Sequence, residues 1–242
     1  MNFCGILAGG TGIRMGKDIP KQFIDLCGKP IIIHTIQRIL SMNCFDYVII
    51  AIHQDYKDYL SNLLEHFSIN LNSIILTAGG EERIDSIENV VKCAQKIDKS
   101  EDTILVLHDA VRPFISEKII KESLTNAAQY GACVAGVQAI DTMYEINNKA
   151  FVSGFPARKY LIHGQSPDSF RLNLLAKTLS TLTNEERKSI TGTVQICALK
   201  GLQIKVIEGD YNNIKITTAK DLELAEMIAK KVDKNESVCF RK

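Results

Sequence analysis

Residues 4–23 carry the sequence CGILAGGTGIRMGKDIPKQF, and this stretch decides the fold. The continuous apolar run at 3–8 predicts a buried strand, because the strands of a parallel sheet are covered on both faces. A glycine cluster follows at once, and two cations, Arg14 and Lys21, lie inside or just after it. Glycine lets backbone N–H groups approach a ligand closely, and Arg and Lys donate charge-assisted hydrogen bonds to phosphate oxygens. The stretch therefore predicts a site for an anionic, phosphate-bearing ligand.

The glycine pattern differs from two common phosphate loops. It lacks the Gly-Lys-Ser/Thr ending of a Walker loop, and it does not have the GxGxxG spacing of a dinucleotide turn. Pro20 stands directly before Lys21 and fixes the backbone there, which helps to aim the long side chain. The loop and Lys21 together predict a phosphate site of a different kind.

The composition limits the function classes. The 242 residues are 45% hydrophobic and 24% charged, which suits one α/β domain with a large core. The net charge is only +1, so the overall charge does not favour nucleic-acid binding. The seven scattered cysteines contain no CxxC pair, which favours reduced thiols over a disulfide framework or a zinc site. With no signal peptide or membrane span in the sequence, we expect a cytoplasmic protein.

Strand and helix patterns alternate along the chain, which predicts one doubly wound α/β domain over residues 1–232 and a polar tail at 233–242. Further strands are predicted at 46–53, 73–77, 103–107 and 132–140, with KVIEG closing a last strand after a helix or strand pair at 194–207. Helices are predicted at 29–42, 55–67, 85–96, 116–130, 172–182 and 219–232. Residues 165–170, QSPDSF, are predicted as a turn.

A second strand–glycine–helix junction, AGGEER, occupies residues 78–83. Ligands of doubly wound sheets bind at the carboxyl ends of strands, so both glycine junctions can line one crevice. Ser86, just inside the following helix, has two interpretations: a helix cap or a ligand contact.

The motif HDAVRP, residues 108–113, follows the strand at 103–107. A carboxylate just past a buried strand and three residues before an arginine is a typical Mg²⁺ ligand beside a phosphate. The alternative for Asp109 is a helix cap, since a helix is predicted from residue 116. The two glycine junctions favour the metal role.

The segment at 141–165 differs from the rest of the chain. Polar and apolar residues alternate from 143 onward and are interrupted by Asn147-Asn148 and Ser153-Gly154, which predicts a projecting hairpin arm. A two-stranded arm is marginally stable alone, so we expect it to pack on a second copy of the chain. Arg158 and Lys159, near its end, could then reach a neighbouring site.

Together, LAGGTGIRMG with PKQF, GGEERIDSI, HDAVRP, DTM and NIKITTAKDLELAE resemble the cytidylyltransferase family. That family includes the methylerythritol-phosphate enzyme of isoprenoid synthesis and the ribitol-5-phosphate enzyme of teichoic-acid and related polymer synthesis. The resemblance implies a Rossmann-like nucleotidyltransferase fold with a mainly parallel twisted sheet. It also implies CTP and a polyol phosphate as substrates, Mg²⁺ as cofactor, and a homodimer joined by the arm.

The same resemblance implies roles for individual residues. The first glycine loop holds the CTP triphosphate, and three cations are catalytic: Arg14, Lys21 and Lys215. The nucleotide site comprises the strand ends and both glycine junctions: Leu7, Ala8, Gly9, Gly10, Gly12, Gly80, Glu81, Ser86, Asp109 and Ala110. Asp109 also binds the metal. The polyol phosphate is bound by Arg112, Thr142, Ser166, Lys215 and the partner's Arg158.

The identity of the acceptor depends on finer features. The LAGGTG opening, HDAVRPF and the GQSPDSFR segment favour ribitol 5-phosphate over methylerythritol phosphate. One departure concerns Thr191-Gly192-Thr193, because both branches commonly carry an aspartate after the threonine. A third hypothesis is a CTP-binding protein without turnover, and the presence of Lys21, Asp109, Arg158 and Lys215 together argues against it.

Overall fold

The computed structural model describes residues 1–10 and 19–239. Its main feature is a seven-stranded sheet. Its strands in chain order are β1 (Asn2–Ala8), β4 (Tyr47–Ile52), β5 (Ile74–Ala78), β6 (Ile104–Asp109), β7 (Ala132–Gln138), β10 (Ile162–Arg171) and β11 (Lys205–Glu208). Two small hairpins complete the set: β2 (Asp25–Leu26) with β3 (Lys29–Pro30), and β8 (Glu145–Ile146) with β9 (Val152–Gly154).

The sheet is mainly parallel. Its strand order is β11-β7-β10-β6-β1-β4-β5, and β10 alone runs antiparallel to both of its neighbours. The register places Leu7 of β1 opposite Asp109 of β6 and Ala8 opposite Ile52 of β4. Because the parallel strands end at the same edge, the glycine junctions and the HDAVRP motif lie at one edge of the sheet.

Helices cover both faces of the sheet, as the continuous apolar strands predict. They are α1 (Ile31–Ser41), α2 (Lys57–His66), α3 (Arg83–Ile97), α4 (Glu117–Tyr130), α5 (Leu172–Ser180), α6 (Asn184–Ser189), α7 (Thr193–Ala198) and α8 (Ala219–Cys239). One buried cluster contains residues of α1, α2 and α4, and a second contains residues of α3, α5 and α7. A third, smaller cluster includes Ala225 of α8. The α/β nucleotidyltransferase-like fold predicted from the sequence is confirmed.

One predicted element is wrong. The predicted turn at 165–170 is part of β10, in the interior of the sheet between β6 and β7. Serine, proline and aspartate favour turns, but here tertiary pairing overrides that local preference. Pro167 lies at a register shift between Gln165 and Asp168, where its missing N–H breaks no regular ladder.

The ends of two other elements differ from the prediction. The arm projects from the sheet as β8 and β9, but residues 162–165 already belong to β10. The terminal helix α8 continues to Cys239, beyond the predicted end at Val232. Thr218 directly precedes α8, and its hydroxyl accepts a hydrogen bond from Asp221 N–H at 3.3 Å, as a helix-capping threonine does. A helix of sufficient length and apolarity to cross a membrane does not occur among the described residues.

Candidate active site

The two glycine junctions meet in space, as the sequence predicts. A Cβ placed on Gly79 would lie only 2.9 Å from Gly9 Cα, so the two backbones are in contact. A Cβ on Gly80 would lie 2.0 Å from Asp85 Cβ at the start of α3. Any larger residue would collide at either position. Glycine at position 79 is what allows the ends of β1 and β5 to approach each other.

Ser86 fixes the second glycine junction. It is buried within α3, and its hydroxyl accepts a hydrogen bond from Gly80 N–H at 3.0 Å. The capping alternative for Ser86 is wrong, because Glu82 precedes the helix and donates its N–H to Asp85 Oδ2 at 3.0 Å. Glu81, between the two, is exposed. Ser86 therefore sets the conformation of the loop assigned to the nucleotide.

Gln22 fixes the conformation of the first glycine loop, a role that the sequence pattern did not indicate. Its amide Nε2 donates to Ala8 O at 2.8 Å and to Gly10 O at 3.0 Å, and the residue is only 2% exposed. Lys21 directly precedes it, at the start of a 3₁₀ turn. Gly12 and Arg14, also assigned to this loop, lie outside the described residues. The motif PKQF was the available signal in the sequence, and the burial of its glutamine is visible only in the structure.

Three cations converge on Asp109, which is 5% exposed. Arg83 Nη1 donates to its Oδ1 at 2.9 Å, and Arg112 Nε donates to Oδ2 at 3.2 Å. Lys215 Nζ lies 3.0 Å from the same Oδ2. Burial alone would raise the pKa of Asp109, but Arg83, Lys215 and Arg112 together outweigh it and hold that pKa well below its usual range. Asp109 is therefore ionised at neutral pH and holds three cations in one place.

Arg83 is a site residue that the sequence analysis did not single out. It lies in the AGGEER junction, 26 residues before Asp109, and begins α3. Its side chain is 29% exposed, so it remains accessible from the crevice. The arginine at the first turn of a helix that follows a glycine pair was the available signal.

A buried hydrogen-bond network holds the HDAVRP turn. Ser166 Oγ accepts from Asp109 N–H at 3.1 Å and lies 2.9 Å from His108 Nδ1. His108 Nε2 lies 2.9 Å from Arg112 O. Burial lowers the pKa of His108 to about 4, so the ring is neutral, with Nε2 donating to that carbonyl and Nδ1 accepting from Ser166. Ser166, assigned to the acceptor, is thus fully engaged within the protein.

The segment before α8 packs onto this turn. Arg112 Nη1 donates to Asn213 O at 2.7 Å, and Asn213 Nδ2 donates to Ser166 O at 2.8 Å. Ile216 N–H donates to Val111 O at 3.0 Å. These bonds place Lys215 over Asp109. Leu7 and Ala110, two further residues assigned to the nucleotide, also lie here. Ala110 N–H donates to Leu7 O at 3.2 Å.

Thr142 and Arg158 lie on the arm. Both are exposed, and Arg158 Nη1 donates to Ile140 O at 2.5 Å. Arg158 O in turn accepts a hydrogen bond from Gln138 Nε2 at 2.6 Å. The polar contacts of Arg158 are therefore local, and its assignment to a neighbouring subunit's site stays a prediction.

The donor set at Asp109 fits a Mg²⁺ ion held mainly by substrate. Magnesium is usually bound by one or two carboxylates together with substrate phosphates. Three cations contact Asp109, and an ionised carboxylate offers about four acceptor positions. Within residues 1–10 and 19–239, no group of three or more His, Cys, Asp or Glu could hold a metal ion. The arrangement suits an ion shared between Asp109 and phosphates rather than a protein cage.

Comparison with known families agrees with this geometry. The family model "IspD: 2-C-methyl-D-erythritol 4-phosphate cytidylyltransferase" matches residues 4–231. The chain belongs to the IspD family. As an IspD-family member it is a nucleotidyltransferase that carries out CTP-dependent cytidylyl transfer to a sugar phosphate. The enzyme class predicted from the motifs is confirmed.

Solved structures of similar proteins have the same fold over nearly the whole chain. The 2-C-methyl-D-erythritol 4-phosphate cytidylyltransferase of Francisella tularensis is 28% identical, with a TM-score of 0.77, covering 93% of this chain and 98% of that one. The 4-diphosphocytidyl-2C-methyl-D-erythritol synthase of Anaerococcus prevotii is 24% identical, with a TM-score of 0.79 and coverages of 95% and 98%. The cytidylyltransferase of Thermus thermophilus, at 20% identity and a TM-score of 0.70, shares the fold.

Proposed function

We propose that this IspD-family enzyme transfers the cytidylyl group of CTP to 2-C-methyl-D-erythritol 4-phosphate, releasing pyrophosphate. The observation that carries the proposal is the match of a family model of that name to residues 4–231. The loop motifs of the sequence favour ribitol 5-phosphate instead. That preference stays a prediction, and the comparisons support the methylerythritol-phosphate alternative better.

The charges around Asp109 support a site for two phosphate compounds. Arg83, Arg112 and Lys215 share this one carboxylate, so the cluster carries excess positive charge. An excess of cations in a partly buried crevice attracts anions strongly. CTP on the glycine junctions and an acceptor phosphate near Lys215 would complete the charge balance.

The reaction proposed for this site needs alignment more than a base. An oxygen of the acceptor phosphate, already ionised at neutral pH, forms a bond to the α-phosphorus of CTP. The bond from that phosphorus to the bridging oxygen breaks, and pyrophosphate takes the electron pair. His108 is buried and neutral, with both ring nitrogens engaged, so it is not placed to take a proton. Lys21 and Lys215 are proposed to stabilise the charge that develops on the α-phosphate.

Asp109 would hold Mg²⁺ together with the triphosphate. When bound there, the ion would neutralise phosphate charge and polarise the phosphorus–oxygen bonds. Arg83 and Arg112 keep the Asp109 carboxylate ionised and oriented for that contact.

The exposed apolar surface of the arm supports a homodimer. Its large apolar side chains face solvent in the single chain: Ile140, Tyr144, Ile146, Phe151, Val152, Phe155 and Tyr160. Phe155 and Tyr160 are each 77% exposed. A cluster of this kind marks an interaction site, and a second copy is the proposed partner. Arg158 of the partner subunit would then reach the acceptor.

The test is a comparison of acceptors under the same conditions. Purified enzyme with Mg²⁺ and CTP is supplied with either 2-C-methyl-D-erythritol 4-phosphate or D-ribitol 5-phosphate, and pyrophosphate release is followed. We expect kcat/KM to be at least about 100-fold higher with the first acceptor, since a site built to bond hydroxyls discriminates strongly. A higher kcat/KM with ribitol 5-phosphate, or no release with the first acceptor, would overturn the proposal.

A further inference from the structure

The side chain of Gln165 connects β10 to the segment that follows β11. This half-buried glutamine donates from Nε2 to Asp210 O at 2.9 Å, and its Oε1 accepts a hydrogen bond from Asp210 N–H at 3.2 Å. β7 lies between β10 and β11 in the sheet, so the contact links two strands that are not neighbours. Because an amide offers both a donor and an acceptor, Gln165 binds the backbone of Asp210 as a paired strand residue would.

The backbone next to this contact is fitted closely to the amide. A Cβ on Gly209 would lie 2.5 Å from Gln165 Oε1 and 3.1 Å from the carbonyl carbon of Gly136 in β7. Gly209 N–H also donates to Gly136 O at 2.8 Å. Glycine at position 209 is therefore what allows the chain to approach both β7 and the Gln165 side chain.

The chain held by Gln165 leads directly to Lys215, and we call residues 209–216 the Lys215 segment. Asp210 O, which Gln165 binds, also accepts a hydrogen bond from Asn213 N–H at 2.9 Å, so residues 210–213 form a turn. Lys215 stands two residues after this turn, with its Nζ 3.0 Å from Asp109 Oδ2. A displacement of Asp210 would therefore move the backbone from which the lysine side chain extends.

Two adjacent residues of β10 thus hold the two partners of the Lys215–Asp109 ion pair. Gln165 holds the Lys215 segment, and Ser166 Oγ accepts a hydrogen bond from Asp109 N–H at 3.1 Å. The register of β10 against β7 shifts between Gln165 and Asp168, and irregularities of this kind re-aim side chains beside active sites. The QSPDSF segment therefore acts as the support of a charge pair.

We propose that Gln165 is a positioning residue for Lys215: its amide fixes Asp210, and this keeps the lysine ammonium over Asp109 and the phosphates. Gln165 acts through Lys215 and does not itself contact the substrate. The inference rests on the catalytic role proposed for Lys215, and it does not depend on which acceptor is used.

The kinetic test is a double-mutant cycle between Gln165 and Lys215. Gln165→Met has a similar length and removes both hydrogen bonds. With CTP, Mg²⁺ and the acceptor that wild type turns over faster, we expect kcat to fall about tenfold, because a misplaced cation stabilises the transition state less. KM for CTP should change less than about twofold. In a Lys215→Met background the same substitution should lower kcat less than about twofold, since the two residues act as one unit.

A second measurement does not depend on activity. Hydrogen exchange in peptides that cover residues 209–216 should be about tenfold faster in Gln165→Met than in wild type, because the segment opens more easily. The matched control is Asn173→Leu. Asn173 Nδ2 donates to Lys99 O at 3.0 Å, near the start of β6 and away from Asp109 at its end. This variant loses a comparable amide contact and should keep wild-type kcat and wild-type exchange in the Lys215 segment.

Three results would overturn the inference: unchanged exchange in the Lys215 segment of Gln165→Met, wild-type kcat in that variant, or a tenfold loss of kcat also in the Lys215→Met background. Circular dichroism checks that each variant is folded. Wild-type kcat in Lys215→Met would overturn the role of Lys215 and the inference with it. The exchange data would still distinguish that failure from a failure of the Gln165 contact.

Discussion

Lys215 Nζ lies 3.0 Å from Asp109 Oδ2, although Lys215 comes from the segment before the last helix and Asp109 from the end of a central strand. The lysine side chain is 37% exposed, whereas the carboxylate is 7% exposed. The pair thus joins a buried anion to a cation that faces the crevice. Lys215 can turn toward a phosphate while Arg83 and Arg112 keep Asp109 paired.

Replacing Lys215 tests that arrangement. We expect Lys215→Met to lower kcat about 100-fold, because a positioned cation stabilises charge that develops in the transition state. The melting temperature should change little, since two other cations still pair with Asp109. Steady-state kinetics and thermal unfolding provide the two measurements. Lys92→Met removes an exposed ion pair with Glu88, 3.5 Å long, and should leave both quantities unchanged. A Lys215→Met enzyme with wild-type kcat would contradict the assignment.

Adding a methyl group at Gly80 tests the glycine junction. The new Cβ would meet Asp85 Cβ at 2.0 Å, so the loop or the start of α3 must move. We expect Gly80→Ala to weaken CTP binding at least about tenfold and to destabilise the protein by about 1–3 kcal/mol. Calorimetric titration with CTP and urea unfolding measure these effects. Gly164→Ala is the control, because a Cβ there meets nothing within 4 Å. Equal CTP affinities in Gly80→Ala and wild type would show that the junction does not hold the nucleotide.

A charge on the arm should separate the proposed dimer. Phe155 and Tyr160 are each 77% exposed in the single chain, so Phe155→Asp should not disturb the folded subunit. We expect this variant to sediment as a monomer and to lose activity, because an uncompensated charge in an apolar interface is costly. Analytical ultracentrifugation gives the assembly state. Tyr130→Asp, at another exposed aromatic residue that ends α4, is the control and should sediment as wild type does. A wild-type protein that is monomeric at assay concentrations would exclude the dimer.

Asp168 gives a pH dependence with a definite sign. Its pKa is about 6 in the folded protein, above the ordinary value of 3.8. Between these values the folded state binds the proton more tightly, so the contribution of Asp168 to stability is present below about pH 4 and is lost as pH rises through 6. Asparagine does not titrate, so the Asp168→Asn variant does not lose stability in this way as pH rises. We expect the stability of the variant relative to wild type to increase by about 3 kcal/mol between pH 4 and pH 7.

Urea unfolding of both proteins across this range, in EDTA, measures the difference. His108 contributes in the opposite direction, because its pKa is lowered to about 4 and its neutral form is lost as pH falls. Comparing the variant with wild type cancels that contribution, since His108 is present in both. A stability difference that is independent of pH would contradict a buried, ionisable Asp168.

The local sequence was sufficient for the parts of the fold that repeat a simple pattern. Apolar runs such as TILVL, at 103–107, predict buried strands, and Gly131, with φ +86°, ends α4 where the pattern stops. Glycine pairs at strand ends also predicted that the two junctions line one crevice, and in the structure Gly9 and Gly79 lie in contact there. These features depend on neighbouring residues and on one general rule about parallel sheets.

The parts that failed depend on contacts between distant segments. QSPDSF has the composition of a turn, and only its pairing with β6 and β7 makes it an interior strand. Arg83 and Gln22 were missed for a related reason. Each acts through partners that the local pattern does not reveal, such as Asp109 for Arg83 and the carbonyl groups of Ala8 and Gly10 for Gln22.

The antiparallel strand β10 has one more consequence, for engineering the molecule. The arm leaves the sheet after β7 and returns directly into β10, which pairs with β7. At the base, Ala139 N–H donates to Leu161 O at 3.1 Å, so the two ends of the arm are already adjacent. A short hairpin loop could close that gap without changing the ladder. The arm can therefore be exchanged between homologues as one unit. Such an exchange would show whether the arm determines the proposed dimer, while β7 and β10 keep their pairing.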